Sequence, residues 1–581
     1  MPFRLSASCV TSFLTSSCAC ESSLLIRLEL CADLGQALHV HVSSRLEQAR
    51  PVGLVRKTPR WGAASSTMAD PGVRVQVASF NANQRLGENA LPDFTPWLIP
   101  KVTQDPASGY ATSPKLSSAS PQSLSLGPRE APDLYAVGFQ EFAALPHALA
   151  GITESIRTVL DREIRRTVRL HQATVRSDQM YDPIELGGGP ENYSCIAEVY
   201  HGGTLLYVYA RERPRRASSN LPSVAQRVKE VRTSTVGTGM FDLMGNKGAV
   251  GARVTLGPLR EGGKDEVFTF VCAHLTPHDH NVERRNADWK SITERLVFGA
   301  DSMGFTPNVQ PMSKPGSEKE AMGKIHSVPT KPASQNQTAA LDQNEYSVYD
   351  THHLFVLGDL NYRIGTDVAG APPAGGPPSP NAYPPMKAAD VKTLARSKNP
   401  KRWNWLLPYD QLGLQHAVSP PRAFQSLHVP DLASWNIPPT YKYKIPLTPA
   451  DARNVLNSKR LPGWPDRILW SNPDRVACEL YRSLMEFQVS DHKPITTILS
   501  VPRGDDGFLQ APYPINPQWR TLQFRGRWLD RIVGYLWSTL LLFGNGNLPI
   551  AALEIALLAI LGAWWVSGRP IPYIRPTGAA R

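Results

Sequence analysis

Short apolar runs of strand length, spread along most of this 581-residue chain, constrain its fold more than any other feature of the sequence. Val73–Val77 alternates with period two, Leu205–Tyr209 is apolar throughout, and Val267–Val271 is β-branched and aromatic. These runs alternate with longer segments of helical character. The pattern predicts an α/β fold, and several of its strands are followed at once by polar residues.

One such run, His353–Leu357, is followed by Gly358, which lets the backbone turn at the end of the strand. Asp359 and Asn361 are two residues apart, so on an extended segment they point to the same side. A carboxylate and a carboxamide placed side by side can hold a water molecule, with the Asp accepting its proton and the Asn orienting it. Taken alone, an Asp-x-Asn turn is the simpler interpretation.

A second pair, Asp491 and His492, follows Glu486–Val489, which also has the character of a strand. Adjacent residues on a strand point to opposite sides, so this Asp and this His are not expected to contact each other. His492 therefore needs another carboxylate, and Asp466, just before an apolar strand, is available. Together the two strand ends indicate metal-assisted hydrolysis of a phosphate ester.

Further motifs stand in a fixed order over roughly residues 73 to 502, and together they resemble the inositol polyphosphate 5-phosphatase family of the DNase I-like superfamily. In chain order they are Ser79–Asn83, Asp133–Glu141, Thr238–Met240, Met244–Gly248, Ala273–Leu275, Glu283–Asn286, Gly358–Ile364, Pro439–Tyr443, Trp464–Trp470 and Ser490–Pro494.

The resemblance implies a DNase I-like four-layer α/β sandwich, in which two packed, mostly antiparallel sheets are flanked by helices. It also implies roles for individual residues. Catalysis is expected from Asp359, Asn361, His274, His492 and Asp466, and the Mg²⁺ ligands from Glu141, Asn81 and Asp491. The residues expected to bind the substrate are Tyr441, Lys442, Lys459, Arg460, Arg467, Asn246 and Lys247.

The chain departs from the family pattern near the expected ring-phosphate grip. Ser458 stands where the family usually has a Lys, and Lys459 follows one place later, which puts the preference among ring phosphates in doubt. The residues of the two catalytic strand ends are unaltered, so we expect an active enzyme.

The formal net charge of +12 favours anionic partners. Phosphorylated inositols, an acidic membrane face and nucleic acid all satisfy this condition, but the Pro439–Tyr443 and Trp464–Trp470 motifs argue against nucleic acid. The placement of the seven cysteines argues against a disulfide framework, since four of them lie in the first 31 residues.

The sequence predicts one catalytic domain over residues 68–502, preceded by a disordered or mispredicted extension at 1–67. Ser- and Pro-rich stretches at about 103–130, 306–344 and 366–386 are expected to be loop insertions. A linker is expected at 503–530, a membrane-anchoring segment at 531–567, and a short tail at 568–581.

The anchor prediction depends on Leu548–Val566, an almost wholly apolar run interrupted by Glu554, and on the shorter run Ile532–Phe543 before it. A single membrane helix and a re-entrant hairpin both remain open. Either would place the catalytic domain on the cytosolic face of a membrane, the endoplasmic reticulum or another endomembrane.

The expected function is therefore a magnesium-dependent phosphoinositide 5-phosphatase acting on phosphatidylinositol 4,5-bisphosphate and related inositol phosphates. Two alternatives use the same residues differently: a DNase I-like phosphodiesterase acting on nucleic acid or sphingomyelin, and a non-catalytic phosphoinositide-binding scaffold.

Overall fold

The computed structural model describes residues 72–567, apart from 88–90, 101–130, 178–190, 213–220, 300–343, 366–398, 400, 447–453, 458–459, 505–506 and 544–547. The predicted extension at 1–67, the tail at 568–581 and the three predicted insertions lie outside the described residues, except for Asn344.

The described strands form two six-stranded sheets. In spatial order the first contains β11 (Ala477–Ser483), β12 (Ile495–Val501), β1 (Val73–Asn81), β2 (Leu134–Gln140), β4 (Thr204–Arg211) and β3 (Tyr193–His201). The second contains β5 (Val228–Gly237), β6 (Gly248–Leu256), β7 (Glu266–His274), β8 (His353–Asp359), β10 (Asp466–Ser471) and β9 (Leu427–His428).

Each sheet has one parallel pair among otherwise antiparallel neighbours. In the first sheet β1 runs parallel to β2, and in the second β7 runs parallel to β8. Because the carboxyl ends of parallel strands meet at one edge of a sheet, the residues that follow the two strands of each pair lie close together.

The described residues also form eight α-helices, some of which cover the outer faces of the sheets. In chain order they are α1 (Thr95–Leu98), α2 (Leu145–Ala150), α3 (Glu154–Ser177), α4 (Val224–Arg227), α5 (Val282–Arg295), α6 (Gln411–His416), α7 (Trp519–Leu542) and α8 (Leu548–Val566), with 3₁₀ turns at Met240–Asp242 and Asn404–Tyr409.

Three hydrophobic clusters separate these layers. The first lies between the sheets and includes Val75, Ala136 and Phe270, because the inward side chains of the strands are apolar. The second packs the outer face of the first sheet against α1 and α3, and the third packs the second sheet against α5, around Trp289. This layering agrees with the predicted DNase I-like sandwich.

One predicted strand is wrong. Glu486–Val489 lies in the connection between β11 and β12 rather than in a sheet. Phe487 is buried because its ring packs edge-on against Phe80 and Trp97, at centroid distances of 5.7 and 6.2 Å. A run of four residues has the same apolar character whether it is buried by sheet pairing or by loop packing.

The C-terminal prediction also needs correction. Within the part of the chain that the structure describes, no helix has the length and hydropathy required of a membrane span, so the predicted membrane helix or hairpin is not supported. The predicted linker boundary at 530 falls inside α7, and this helix packs on the catalytic domain. A Cβ on Gly534 would overlap the backbone of Ala150 in α2, so the two helices touch at this glycine.

Candidate active site

Three strand ends place the central residues of the site in register. His274 at the end of β7 is the parallel partner of Asp359 at the end of β8, and Asp466 at the start of β10 is its antiparallel partner. Asn81 at the end of β1 is paired with Gln140, so Glu141 follows one residue later at the same edge. Sheet pairing therefore brings together the predicted catalytic residues His274, Asp359 and Asp466. Asn361 and His492 reach them from loops.

Asp359 is held from both sides of its carboxylate. Oδ1 accepts the backbone N–H of Asn361 at 3.0 Å, and Oδ2 accepts the side-chain amide of Asn81 at 2.9 Å. Burial opposes its ionisation, but the positive charges of His492 and Arg363, together with the hydrogen bond from Asn81, outweigh that effect and lower the pKa of Asp359 to about 2. The side chain is therefore a fixed carboxylate at neutral pH.

Gly358 makes this position possible. Its φ of 143° lies outside the range that other residues adopt readily, and a Cβ there would overlap the carbonyl oxygen of Ala273. Asn361 also has a left-handed φ, of 57°, and its amide donates to the carbonyl oxygen of Leu275 at 2.9 Å. The Asp-x-Asn turn is therefore present, and it holds the Asp359 carboxylate next to His274 and Asn81. The functional interpretation stays a prediction.

The two histidines have opposite electrostatic settings. His492 Nδ1 lies 3.0 Å from Asp466, as predicted, while its Nε2 lies 3.9 Å from Asp359. Burial disfavours the imidazolium, but the carboxylates of Asp466 and Asp359 raise the pKa of His492 to about 9. In contrast, burial and the positive charge of Lys247 hold the pKa of His274 well below its ordinary value.

Glu141 and Asn81 supply oxygen donors suited to a hard cation. Within the described residues no hydrogen bond fixes the Glu141 carboxylate, which is 29% exposed and lies 3.8 Å from His274 Nε2. Asn81 Oδ1 accepts the N–H of Asn83 at 3.0 Å and retains a second lone pair. This oxygen-only donor set fits Mg²⁺ or another hard divalent cation.

Asp359, Asp466 and His492 also lie close enough together to hold an ion. However, both oxygens of Asp466 face the ring of His492, and Oδ2 additionally accepts the hydroxyl of Thr440 at 2.6 Å. The imidazolium already pairs with these carboxylates and would repel a metal ion, so the cluster is better described as a charge-paired group than as an ion site.

Asp491, predicted as a metal ligand, forms an ion pair with Lys442. Its carboxylate lies 2.7 Å from the Nζ of Lys442, and its charge also contributes to the raised pKa of His492. Tyr441 lies against the His492 ring, with centroids 4.5 Å apart. The structure therefore places Tyr441 against His492, and the Lys442 Nζ lies 5.2 Å from the centroid of the Tyr441 ring.

The other cationic residues predicted to bind the substrate differ in their surroundings. Arg467 is 1% exposed and binds the carboxylate of Asp410 at 2.7 Å, so it does not reach a surface from which it would contact a substrate. Arg460 is half exposed, 3.5 Å from Asp279. Lys459 lies outside the described residues.

Asn246 and Lys247 lie on the turn that joins β5 to β6. Asn246 Oδ1 accepts the N–H of Met240 at 3.1 Å, which closes the turn. Lys247 interacts electrostatically with Glu141 and Asp359, while burial lowers its pKa. Its ammonium group is therefore electrostatically coupled to these two carboxylates.

Arg363 was missed as a site residue. Its guanidinium contacts Asn361 Oδ1 and lies over the ring of Tyr441, 4.1 Å from the centroid. It also contributes to the low pKa of Asp359. Its place two residues after Asn361 in the same motif was the signal that would have identified it.

Residues 78–498 match the sequence profile of Endonuclease/Exonuclease/phosphatase family 2. The chain belongs to this family. Its similarity to inositol polyphosphate 5-phosphatases within the family confirms the resemblance inferred from the motifs. Type II inositol 1,4,5-trisphosphate 5-phosphatase of Mus musculus is 25% identical over 372 residues, which cover 64% of this chain and 27% of that protein.

Synaptojanin-2 of Homo sapiens is 25% identical over 460 residues, which cover 74% of this chain and 22% of that protein. This chain thus spans about a quarter of the length of these relatives. The crystal structure of the inositol polyphosphate 5-phosphatase domain of SPsynaptojanin with inositol (1,4)-bisphosphate and calcium ion aligns over 79% of this chain and 91% of its own, at 19% identity and a TM-score of 0.45.

Proposed function

We propose that this protein is a magnesium-dependent phosphatase that removes the 5-phosphate from phosphatidylinositol 4,5-bisphosphate and related inositol phosphates. The observation that carries the proposal is the register of three strand ends, which places His274, Asp359 and Asp466 side by side with Glu141 at the same edge. Carboxylates, histidines and an ammonium group in one buried cluster suit hydrolysis of a phosphate ester.

In this mechanism Asp359 and Asn361 orient the attacking water. A carboxylate whose pKa is lowered to about 2 is a weak base, so it accepts a hydrogen bond from the water and takes the proton only as the water attacks. This order suits phosphoryl transfer, because its transition state is loose and requires little early proton removal.

His492 and Lys247 would stabilise the charge on the transferred phosphoryl group. With a pKa raised to about 9, His492 donates from Nε2 while Asp466 holds its Nδ1. Neutral His274 supplies a further donor or acceptor next to Asp359. Glu141 and Asn81 would hold Mg²⁺, which neutralises charge on phosphate oxygens when bound.

The choice of an inositol phosphate is supported by the relatives, which are named as inositol 1,4,5-trisphosphate and inositol polyphosphate 5-phosphatases. On this chain Lys442, one third exposed beside Tyr441 and His492, is placed to contact a phosphate next to the scissile one.

A lipid substrate is supported by the turn between β5 and β6. Met240 and Phe241 are 56% and 75% exposed at its tip, a few residues from Lys247. Two large apolar side chains exposed beside a polar cluster suit a substrate that has an apolar part as well as a phosphorylated head. The cytosolic location stays a prediction.

The test is phosphate release by the full chain with Mg²⁺, measured on phosphatidylinositol 4,5-bisphosphate vesicles and on inositol 1,4,5-trisphosphate. We expect release from both, lost on chelation and in Asp359→Ala. Phe241→Ser should reduce release from vesicles a few-fold and leave the soluble substrate unchanged. Release from neither substrate, together with cleavage of a phosphodiester, would favour the phosphodiesterase alternative.

A further inference from the structure

Helix α7 lies beyond the residues that match the family profile, yet it packs against the turn that carries Lys247. Gln523 donates to the carbonyl oxygen of Thr235 at 2.8 Å, and Arg527 donates to its hydroxyl at 3.0 Å. Gly526 faces Leu243 so closely that a Cβ on this glycine would overlap the Leu243 carbonyl oxygen. The helix therefore touches β5 just before the turn and the middle of the turn itself.

Asp530 is the buried polar contact of this interface. It is 3% exposed, and each of its oxygens lies 3.0 Å from the backbone N–H of Gly245. Oδ2 also lies 2.7 Å from Nε2 of His201. One carboxylate thus joins α7 to two separate segments of the catalytic domain.

Both segments adjoin residues of the site. Gly245 directly precedes Asn246 and Lys247. His201 is the last residue of β3 and directly precedes the turn to β4. In this turn the carbonyl oxygen of Gly203 accepts the N–H of Phe142, the residue after Glu141, at 3.4 Å. The two segments also touch directly, since a Cβ on Gly202 would overlap the carbonyl oxygen of Gly245.

We propose that Asp530 is a positioning residue for the reaction proposed above, on which this inference rests. By binding Gly245 and His201 together, it fixes the turn that carries Lys247 relative to the turn that supports Glu141. A cationic group and a cation-binding carboxylate must keep a set separation if both are to act on one phosphoryl group, and small misplacements are costly in rate. The C-terminal helix is therefore part of the catalytic unit.

The test compares Asp530→Ala with Asp133→Ala in the full chain. Asp133 is also buried and also accepts a backbone N–H, that of Arg74 at 2.9 Å, but it lies at the opposite end of β2. With inositol 1,4,5-trisphosphate and Mg²⁺, Asp530→Ala should lower kcat by about 10- to 100-fold. Asp133→Ala should lower only the melting temperature.

Two further variants separate positioning from general destabilisation. Asp530→Asn retains an acceptor for Gly245 and should recover most of the lost kcat. Gly526→Ala removes no polar group but pushes α7 away from Leu243, so it should also lower kcat. If Asp530→Ala does not fold, the kcat of Gly526→Ala tests the positioning role instead. Equal kcat in wild type and Gly526→Ala, with Asp530→Ala no worse than Asp133→Ala, would overturn the proposal.

Amide hydrogen exchange in residues 238–247 provides a measurement independent of activity. Exchange there should be faster in Asp530→Ala than in wild type and unchanged in Asp133→Ala. If the wild-type chain released no phosphate, the proposed function would be wrong, while this measurement would still decide whether Asp530 restrains the turn. Unchanged exchange in an active wild-type background would reject the positioning role alone.

Discussion

The two sheets have the same backbone arrangement where they meet the site, but they contribute residues of different chemistry. Each contributes a parallel strand pair, β1 with β2 and β7 with β8, and each pair is followed by a residue with a left-handed φ, 50° at Glu141 and 57° at Asn361. The Glu141 side chain is 29% exposed and Asp359 only 2%. The open half suits a cation, whereas the buried half is preorganised for a water molecule and a phosphoryl group.

The largest effect is expected in the buried half. Asp359→Ala removes the carboxylate that orients the water and leaves the cationic groups around it unbalanced. We expect kcat to fall by roughly 10³-fold or more, within the range attributed to a positioned acid or base. Steady-state phosphate release from inositol 1,4,5-trisphosphate measures this, with a thermal melt to confirm folding. A folded variant that kept a tenth of the wild-type rate would remove Asp359 from the mechanism.

Asp466→Asn tests the same half through His492. The pKa of His492 is raised, so the donating imidazolium is present below about pH 9 and lost as the pH rises through that value. Without the Asp466 carboxylate that pKa falls, and we expect the alkaline limit of activity to move down by at least about one pH unit, with kcat lower by roughly 10²-fold. If the alkaline limit of activity were the same in Asp466→Asn and in wild type, a group other than His492 would determine that limit.

Glu141→Gln tests the open half. Removing one carboxylate charge weakens the hold on a hard cation, so the Mg²⁺ concentration needed for half-maximal activity should rise at least about tenfold, while saturating Mg²⁺ restores part of the rate. Asp466→Asn is the matched control, because its defect should not respond to added Mg²⁺. Equal Mg²⁺ dependence in the two variants would show that the cation does not bind to the Glu141 half alone.

Much of the difference between the two halves of the site could be predicted from the sequence. Strand patterns brought Asn81, Glu141, His274 and Asp359 together, because strand ends collect at one edge whatever their separation along the chain. His492 reaches the same edge from the connection between β11 and β12, so only the motif order pointed to it. The Glu486–Val489 run was misassigned, since a buried loop and a buried strand share the same composition. The dependence of the β5–β6 turn on Asp530 was invisible, because nothing local to Asp530 indicates which backbone N–H it accepts.

The smallest predicted effect separates two cations that the sequence treated alike. Lys442 is partly exposed beside Asp491, whereas Arg467 is buried against Asp410. Lys442→Met should raise KM for inositol 1,4,5-trisphosphate about tenfold, the value of one charged hydrogen bond, without altering stability. Arg467→Met should leave KM unchanged but lower the free energy of unfolding by about 3 kcal/mol, because it leaves the buried Asp410 carboxylate without its ion-pair partner. Urea denaturation and initial rates distinguish the two; a raised KM in a stable Arg467→Met would return Arg467 to the substrate site.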